Sequence, residues 1–216
     1  MIELKNIYKA YNLSGIHKQI FEGLNFKFSP DRNYALLGSN GVGKSTLLRL
    51  IAGAESPDHG KVIRKGKVSW PMGFSGGFNG SMTGIENLKF VARIYGKDPN
   101  AIIDSVNEFS ELGNSMKLPI KTYSSGMRAR LAFGLSLAID FDCYLVDEVI
   151  AVGDSSFQKK SKKAFQEKFD KSFLIMASHS ADIMKDYCDC GLLLDDNGVH
   201  FYDTIESMLE AYQKNK

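Results

Sequence analysis

The stretch Gly38-Ser39-Asn40-Gly41-Val42-Gly43-Lys44-Ser45-Thr46 decides the fold of this 216-residue chain. It matches the pattern G-x-x-x-x-G-K-[ST] at every fixed position. An apolar strand is predicted before it over residues 34–37, and a helix is predicted after it over residues 46–52. Glycines let successive N–H groups face one anion, and the helix adds its positive end. We therefore expect a nucleoside-phosphate site, with Lys44 at the β- and γ-phosphates and the Ser45 hydroxyl on Mg²⁺.

A second feature is the apolar strand predicted over residues 143–146, which ends in Asp147 and Glu148. Ligands of a nucleotide-binding sheet bind at the carboxyl ends of its strands. Asp147 is therefore expected in the Mg²⁺ shell, directly or through water, and Glu148 is expected to polarise an attacking water molecule. Such a strand is a weak signal alone, but the glycine-rich loop upstream makes it a strong one.

The order of the predicted elements indicates an α/β fold with a mostly parallel sheet and an inserted helical subdomain. Further strands are expected at residues 2–4, 24–28, 61–70, 173–177 and 192–194. Helical spacing of apolar residues predicts helices at residues 85–95, 102–112, 131–139 and 155–169. We predict one domain over residues 1–216, with a core at about 1–73 and 134–216 and a helical subdomain at about 74–133.

Composition excludes several classes of protein. Hydrophobic residues at 44% and charged residues at 24% are typical of a globular protein, and a net charge of +2 argues against a dedicated nucleic-acid binder. The three cysteines are too few, and odd in number, to indicate a fold held together by disulfides. The uncharged residues 68–85 contain five glycines and indicate a loop, not a membrane span. No signal peptide is expected, so any membrane attachment has to come from another protein.

A third segment identifies the class. Tyr123-Ser124-Ser125-Gly126-Met127 lies before the carboxylate strand and resembles the Leu-Ser-Gly-Gly-Gln signature of the ATP-binding cassette family. Ser124 and Gly126 match, whereas Tyr123, Ser125 and Met127 depart. A serine N-cap would explain the pentapeptide alone, but its order and spacing relative to the two other motifs favour the family. The resemblance covers essentially the whole chain and implies a P-loop NTPase fold with a RecA-like core.

The family resemblance also implies roles for individual residues. Lys44, Glu148 and His179 would be catalytic, with His179 sensing the γ-phosphate. Tyr11 would stack on adenine, with Tyr8 as the alternative. Ser45 and Asp147 would bind Mg²⁺. The nucleotide-binding set is Tyr11, Gly38, Ser39, Asn40, Gly41, Val42, Gly43, Lys44, Ser45 and Thr46. The signature residues Ser124, Ser125 and Gly126 would face ATP held by a second copy, and residues 151–154 would touch that copy.

One departure concerns a glutamine that the family carries in the loop joining core and helical subdomain. This chain has no glutamine between Gln19 and Gln158, so Asn79 or a backbone carbonyl is expected to replace it. Phe74 or Phe78 in the same loop is expected either to fill the subdomain junction or to line a groove for a permease helix. The basic residues 159–163 form either a solvated helix face or a contact with anionic lipid.

The loop also narrows the resemblance to the ATPase subunits of bacterial capsular-polysaccharide exporters, the polysialic-acid and related capsule group. This resemblance implies an ATP-hydrolysing homodimer that binds ATP and Mg²⁺ and powers export of a lipid-linked polysaccharide through a separate permease dimer. The expected location is the cytoplasmic face of the bacterial inner membrane, and no nucleic-acid partner is expected. The alternatives are an O-antigen or teichoic-acid exporter, an importer subunit, or a soluble cassette ATPase outside transport.

Overall fold

The computed structural model describes residues 1–13, 15–72, 77–147, 155–169 and 172–214. The chain forms two compact units. The first, the core unit, comprises Met1–Pro71, Phe141–Glu148 and Lys171–Lys216; the second, the helical unit, comprises Met72–Asp140 and Val149–Asp170. The helical unit therefore includes residues 134–140 and 155–169, which the boundaries predicted from sequence place in the core.

A six-stranded sheet forms the centre of the core unit. Its strands are β3 (Tyr34–Gly38), β5 (Val68–Met72), β6 (Cys143–Asp147), β7 (Phe173–Ala177), β8 (Cys190–Asp195) and β9 (Gly198–Tyr202). They lie in the order β5-β6-β7-β3-β8-β9. The pairs β6–β7, β7–β3 and β3–β8 are parallel, and β8–β9 is antiparallel. This mostly parallel sheet agrees with the predicted fold class, and it places the carboxyl ends of β3, β6 and β7 at the same edge.

A second, antiparallel sheet consists of β1 (Ile2–Leu13), β2 (Ile16–Phe28) and β4 (His59–Arg64), in the order β2-β1-β4. The single strand predicted over residues 61–70 is wrong, because β4 and β5 belong to different sheets. Gly66 separates them at φ 114°, a backbone region that favours glycine. The Asp142 carboxylate accepts the Lys67 N–H at 2.6 Å and holds this turn.

Three helices complete the core unit: α1 (Lys44–Ala52), α6 (Ala181–Tyr187) and α7 (Ile205–Lys214). Helix α1 buries Leu47, Leu48, Leu50 and Ile51 among apolar residues of both sheets. Gly53 caps its C-terminal end, since it adopts a left-handed conformation and donates its N–H to the preceding turn. Burial of this apolar stripe fixes α1, and therefore the loop before it, against the central sheet.

The helical unit contains α2 (Gly84–Ile94), α3 (Pro99–Ser110), α4 (Ser125–Ala138) and α5 (Ser155–Phe169). Its interior is aromatic: the Phe109 ring lies 5.9 Å from that of Phe133 and 5.3 Å from that of Phe157. Phe165 also approaches Phe133, at 6.3 Å. Because α5 supplies Phe157 and Phe165 to this cluster, it belongs with the helices and not with the sheet.

Charged residues reinforce the contacts among these helices. Glu111, after α3, lies 2.6 Å from Lys160 of α5 and 3.6 Å from Arg130 of α4. Lys160 also lies over the Phe109 ring, and Ser161 is buried. Within the basic run at residues 159–163, Lys163 is therefore exposed, whereas Lys160 contacts other residues of the helical unit and Ser161 is buried.

The helices and the cysteines bear on two classes of protein considered from sequence, membrane-spanning proteins and disulfide-stabilised proteins. No helix in the described part of the chain is both long and apolar enough to cross a membrane. Cys143, Cys188 and Cys190 are buried free thiols, and burial raises the pKa of Cys190 to about 11. The thiols are therefore protonated at neutral pH, as expected of structural cysteines.

We predict that Gly191→Ala destabilises the core unit. A Cβ at this buried position of β8 would collide with the Met208 sulfur of α7 and lie 3.2 Å from the Ala35 carbonyl oxygen. Overpacking of this kind costs about 1–3 kcal/mol, so the melting temperature should fall by several degrees. Gly77→Ala is the control, because its Cβ would meet no atom of the described residues within 4 Å. An unchanged melting temperature for Gly191→Ala would contradict this close packing of β8 against α7.

Candidate nucleotide-binding site

The loop between β3 and α1 is curled around the side chain of Lys44. The Lys44 ammonium donates to the carbonyl oxygens of Gly38 at 2.7 Å and Ser39 at 3.0 Å. Gly38, Gly41 and Gly43 have φ values of 154°, 78° and 122°, of which those at Gly41 and Gly43 clearly require glycine. A Cβ at Gly43 would lie only 2.6 Å from Ile20 Cγ2. The sequence motif therefore folds into a concave loop, and side chains in place of its glycines would fill the space inside it.

A cleft of about 260 Å³ opens beside this loop. The residues that line it are Tyr11, Lys18, Ile20, Asn40, Gly41, Gly43, Lys44, Ser45, Thr46 and Asp147. Ser45 lies in the first turn of α1 and Asp147 ends β6, so two elements contribute oxygen-bearing residues to one cleft. Hydroxyl and carboxylate oxygens are the ligand types that Mg²⁺ prefers beside a phosphate. These residues therefore fit a magnesium–nucleotide complex.

His179 also reaches the phosphate loop. It follows β7, and its Nε2 lies 3.0 Å from Asn40 Oδ1. Because β7 is hydrogen-bonded between β6 and β3, His179 follows a strand whose carboxyl end lies at the same edge of the sheet as the ends of β3 and β6. The structure thus brings together His179, Asn40, Lys44, Ser45 and Asp147, which the sequence analysis selected from distant segments.

Of the two tyrosines considered for adenine, Tyr11 lines the cleft. Its ring is half-buried, and its hydroxyl lies 2.7 and 2.8 Å from the two carboxylate oxygens of Glu55. Tyr8 instead makes an edge contact with His59, with ring centroids 6.2 Å apart. The position of Tyr11 therefore favours it over Tyr8 as a surface for a base.

Sequence reasoning missed two residues of the cleft, Lys18 and Ile20. Both lie on β2, and Lys18 pairs directly opposite Tyr11 on β1. The Lys18 ammonium donates to the Gly41 carbonyl oxygen at 2.9 Å. The strand prediction for β2 covered only residues 24–28, so the half of the hairpin that reaches the cleft was not recognised. Their two-residue spacing, which places both on one face of a strand, was the available signal.

The signature residues lie in the helical unit. Ser124 is the N-cap of α4, and its hydroxyl accepts the Met127 N–H at 3.2 Å. Ser125 is exposed, and a Cβ at Gly126 would approach only Ser124 Oγ, at 3.9 Å. Beyond them α4 is buried from Leu131 to Leu137. The buried part of α4 thus anchors a helix start whose first residues remain accessible.

Asn79, expected to replace the missing glutamine, is engaged in a local turn. Its side-chain oxygen accepts the Ser81 N–H at 3.0 Å, and Asn87 accepts its backbone N–H at 2.9 Å. Phe78 is half-buried, which does not distinguish a residue that fills the subdomain junction from one that lines a groove. Glu148, Phe74 and the loop at residues 151–154 lie outside the described residues.

Comparison with known proteins identifies the family. Residues 21–151 match the family model described as ABC transporter. The chain is 50% identical to the polysialic acid transport ATP-binding protein KpsT of Escherichia coli, over 100% of both chains. It is 45% identical to the capsule polysaccharide export ATP-binding protein CtrD of Neisseria meningitidis serogroup B, over 98% of each.

A solved structure agrees in fold. The ATP-binding cassette MJ0796, in a dimeric post-hydrolysis state bound to ADP and Pi, superposes with a TM-score of 0.78. The alignment covers 94% of this chain and 98% of MJ0796 at 18% identity. This likeness confirms the predicted P-loop NTPase fold of the cassette type.

We predict that stability falls in acid partly through Glu55. Burial would raise the pKa of this carboxyl, but hydrogen bonds from Tyr11, Lys9 and Arg49 outweigh it and lower the pKa. Because the folded-state pKa lies below the unfolded one, the stabilisation is complete above about pH 5 and is lost as the pH falls through the folded value.

The measurement is urea unfolding between about pH 6 and pH 3. Glu55→Gln, which cannot ionise, should lose less free energy of unfolding over this range than the wild type. Glu210→Gln, at an exposed position of α7, is the matched control and should follow the wild type. Equal losses for Glu55→Gln and the wild type would refute the assignment.

Proposed function

The chain belongs to the ABC transporter family, and from this premise we propose how it powers a capsular-polysaccharide exporter. It is an ATPase of the type that includes KpsT and CtrD. The observation that carries the mechanism is the convergence of Lys44, Ser45, Asp147 and Tyr11 on one cleft. The cargo is a lipid-linked capsular polysaccharide, which passes through a separate permease.

In the proposed mechanism, backbone N–H groups of residues 39–46 and the Lys44 ammonium bind the β- and γ-phosphates of ATP. The Ser45 hydroxyl and the Asp147 carboxylate hold Mg²⁺, which when bound neutralises charge on the phosphate oxygens. Tyr11 stacks on adenine. Glu148, the residue after Asp147, accepts a proton from the attacking water, and His179 holds the γ-phosphate from the far side of the loop.

In this proposal, the nucleotide-binding site of one copy is completed by residues of a second copy. Ser124, Ser125 and Gly126 begin a helix with accessible N–H groups, which suits them to a phosphate. They belong to the helical unit, whereas residues 38–46 belong to the core unit. We infer a head-to-tail homodimer in which each nucleotide lies between residues 38–46 of one copy and 124–126 of the other. Binding of ATP closes this pair, and hydrolysis opens it.

Transfer of this motion requires a surface for the permease, and α2 supplies one. Its buried side carries Leu88 and Ala92, whereas Phe90 and Ile94 are 57% and 62% exposed. An amphipathic helix of a monomer normally presents polar residues on that side. Two large apolar side chains four residues apart fit an apolar helix end of a membrane protein. We therefore propose that the permease docks on α2 and on the loop before it. This contact attaches the protein to the cytoplasmic face of the inner membrane.

Hydrolysis and dimer formation are tested together with Glu148→Gln. This variant should bind ATP as the wild type does, because it keeps the phosphate loop, and its turnover should fall at least about 100-fold with the loss of the base. ATP should then convert it from monomer to dimer in sedimentation experiments. Adding Gly126→Asp places a carboxylate against the γ-phosphate and should keep it monomeric with ATP bound.

Lys44→Ala is the control for that experiment, because it removes a charge from the phosphates and should weaken both binding and turnover. A wild-type rate for Glu148→Gln would rule out Glu148 as the base. A monomer at saturating ATP would rule out the shared site.

Docking is tested with the double variant Phe90→Ser and Ile94→Ser. Since both side chains are exposed, the melting temperature and the ATPase rate of the isolated protein should change little. Co-purification with the permease and surface polysaccharide should both fall severalfold. Lys89→Ser, at an exposed position of the same helix, is the matched control and should export normally. Normal export by the double variant would exclude this docking surface.

A further inference from the structure

The Glu55 carboxylate, in the turn between α1 and β4, is shared by three side chains. Oε1 accepts from the Tyr11 hydroxyl at 2.7 Å and from the Lys9 ammonium at 3.0 Å. Oε2 lies 2.8 Å from the same hydroxyl and accepts from Arg49 Nε at 3.0 Å. Charge-assisted hydrogen bonds of this kind are stronger and more directional than neutral ones. The carboxylate therefore fixes where the Tyr11 hydroxyl lies.

Arg49 connects this arrangement to the helix of the phosphate loop. It donates through Nη2 to the Tyr11 hydroxyl at 3.1 Å and to Thr46 Oγ1 at 3.2 Å. Thr46 directly follows Ser45, and Tyr11 lies 3.4 Å from Thr46 Oγ1. The tyrosine on β1 is thus tied to the first turn of α1, which lies at the phosphate end of the cleft.

Lys9 lies close to the ring of Tyr11 and also contacts the Glu55 carboxylate. Its ammonium is buried and lies 5.3 Å from the centroid of the Tyr11 ring. The Ser56 carbonyl and the Asp58 carboxylate accept from it at 3.0 and 3.2 Å. Asp58 also accepts the Ala10 N–H at 2.7 Å but is not among the groups around the Tyr11 hydroxyl. Glu55 therefore contacts the tyrosine directly, whereas Asp58 acts only on Lys9 and the backbone.

We propose that Glu55 is a positioning residue for the nucleotide base: together with Arg49 it holds the Tyr11 ring in the orientation for stacking, at a fixed distance from the phosphate loop. This inference rests on the proposed role of Tyr11 in binding adenine. A ring that is already ordered loses little conformational entropy when the base binds, so affinity for the base increases without any contact between Glu55 and ATP. Glu55 should thus affect binding of the base and not of the phosphates.

The test compares dissociation constants for ATP and for inorganic tripolyphosphate, which has no base. Tyr11→Ala should weaken ATP binding about ten-fold or more, since it removes the stacking surface. Glu55→Gln and Tyr11→Phe should each weaken it about three- to five-fold. Tyr11→Phe removes the hydroxyl that holds the ring, and Glu55→Gln weakens the same bond because a neutral amide oxygen replaces the charged acceptor. Tripolyphosphate binding should be unchanged in all three. In ATPase assays KM should rise while kcat stays constant.

Two further variants separate positioning from local stability. The double variant Tyr11→Phe with Glu55→Gln should be no weaker than either single variant, because both act through one bond. Asp58→Asn, which alters the same charged cluster without touching Tyr11, should leave the preference for ATP over tripolyphosphate unchanged. Should Glu55→Gln fail to fold, Tyr11→Phe still decides the question, since it leaves the ion pairs in place.

The possible outcomes are distinct. If Tyr11→Ala lowers the preference for ATP but Glu55→Gln and Tyr11→Phe do not, the positioning role is wrong and adenine stacking stands. If Tyr11→Ala leaves the preference unchanged, the stacking role of Tyr11 fails, and the positioning role fails with it. Additive effects in the double variant, or an equal effect of Asp58→Asn, would also overturn the proposal.

Discussion

The burial of a lysine ammonium inside a turn of glycines is the constraint on which the site depends. Lys44 is 8% exposed, and its charge is balanced by carbonyl oxygens of the loop that precedes it. A buried cation without such partners would be costly. The loop must therefore curl around the side chain, and curling requires glycine where a Cβ would meet the chain. At Gly38 that Cβ would collide with the Leu194 carbonyl oxygen of β8.

The parallel sheet determines what lies next to this loop. Hydrogen bonding of β3 to β7 and of β7 to β6 places the ends of these strands side by side. That register determines the positions of Asp147 and His179. It also determines the contact of His179 with Asn40. The antiparallel hairpin then adds Tyr11 and Lys18 from a different sheet of the same unit. The core unit thus assembles the residues that we propose as the binding groups for base, phosphate and cation.

The helical unit is stabilised by its own aromatic interior, so the start of α4 does not need burial to remain folded. Ser124 caps the helix while Ser125 stays exposed. The Ser124 hydroxyl therefore caps α4 at a helix start that remains accessible. On α2, exposed Phe90 and Ile94 lie outside that aromatic interior. Two accessible surfaces on one compact unit are what a subunit needs if nucleotide binding is to move a partner.

Local chemistry made much of the chain predictable. Residues 155–169 and 173–177 were predicted as a helix and a strand, and the structure has Ser155–Phe169 and Phe173–Ala177. The loop at residues 38–46 and the acidic end of β6 could be recognised because their residue types are fixed by the backbone and by the phosphate. By contrast, α6 and β9 were missed because they are short, and α7 was missed although Ile205 and Met208 have the apolar spacing of a helix.

The sequence by itself determined the class of the protein, because the glycines, lysine and carboxylates of its motifs have few other uses at that spacing. Only the tertiary structure decided which distant residues meet. The strand order β6-β7-β3-β8 joins segments more than a hundred residues apart, and no periodicity encodes that order. Likewise, Tyr11 rather than Tyr8 reaches the cleft because of the register of β1, and Glu55 reaches Tyr11 because α1 ends beside that strand. Such contacts depend on how packed elements meet, which local sequence does not specify.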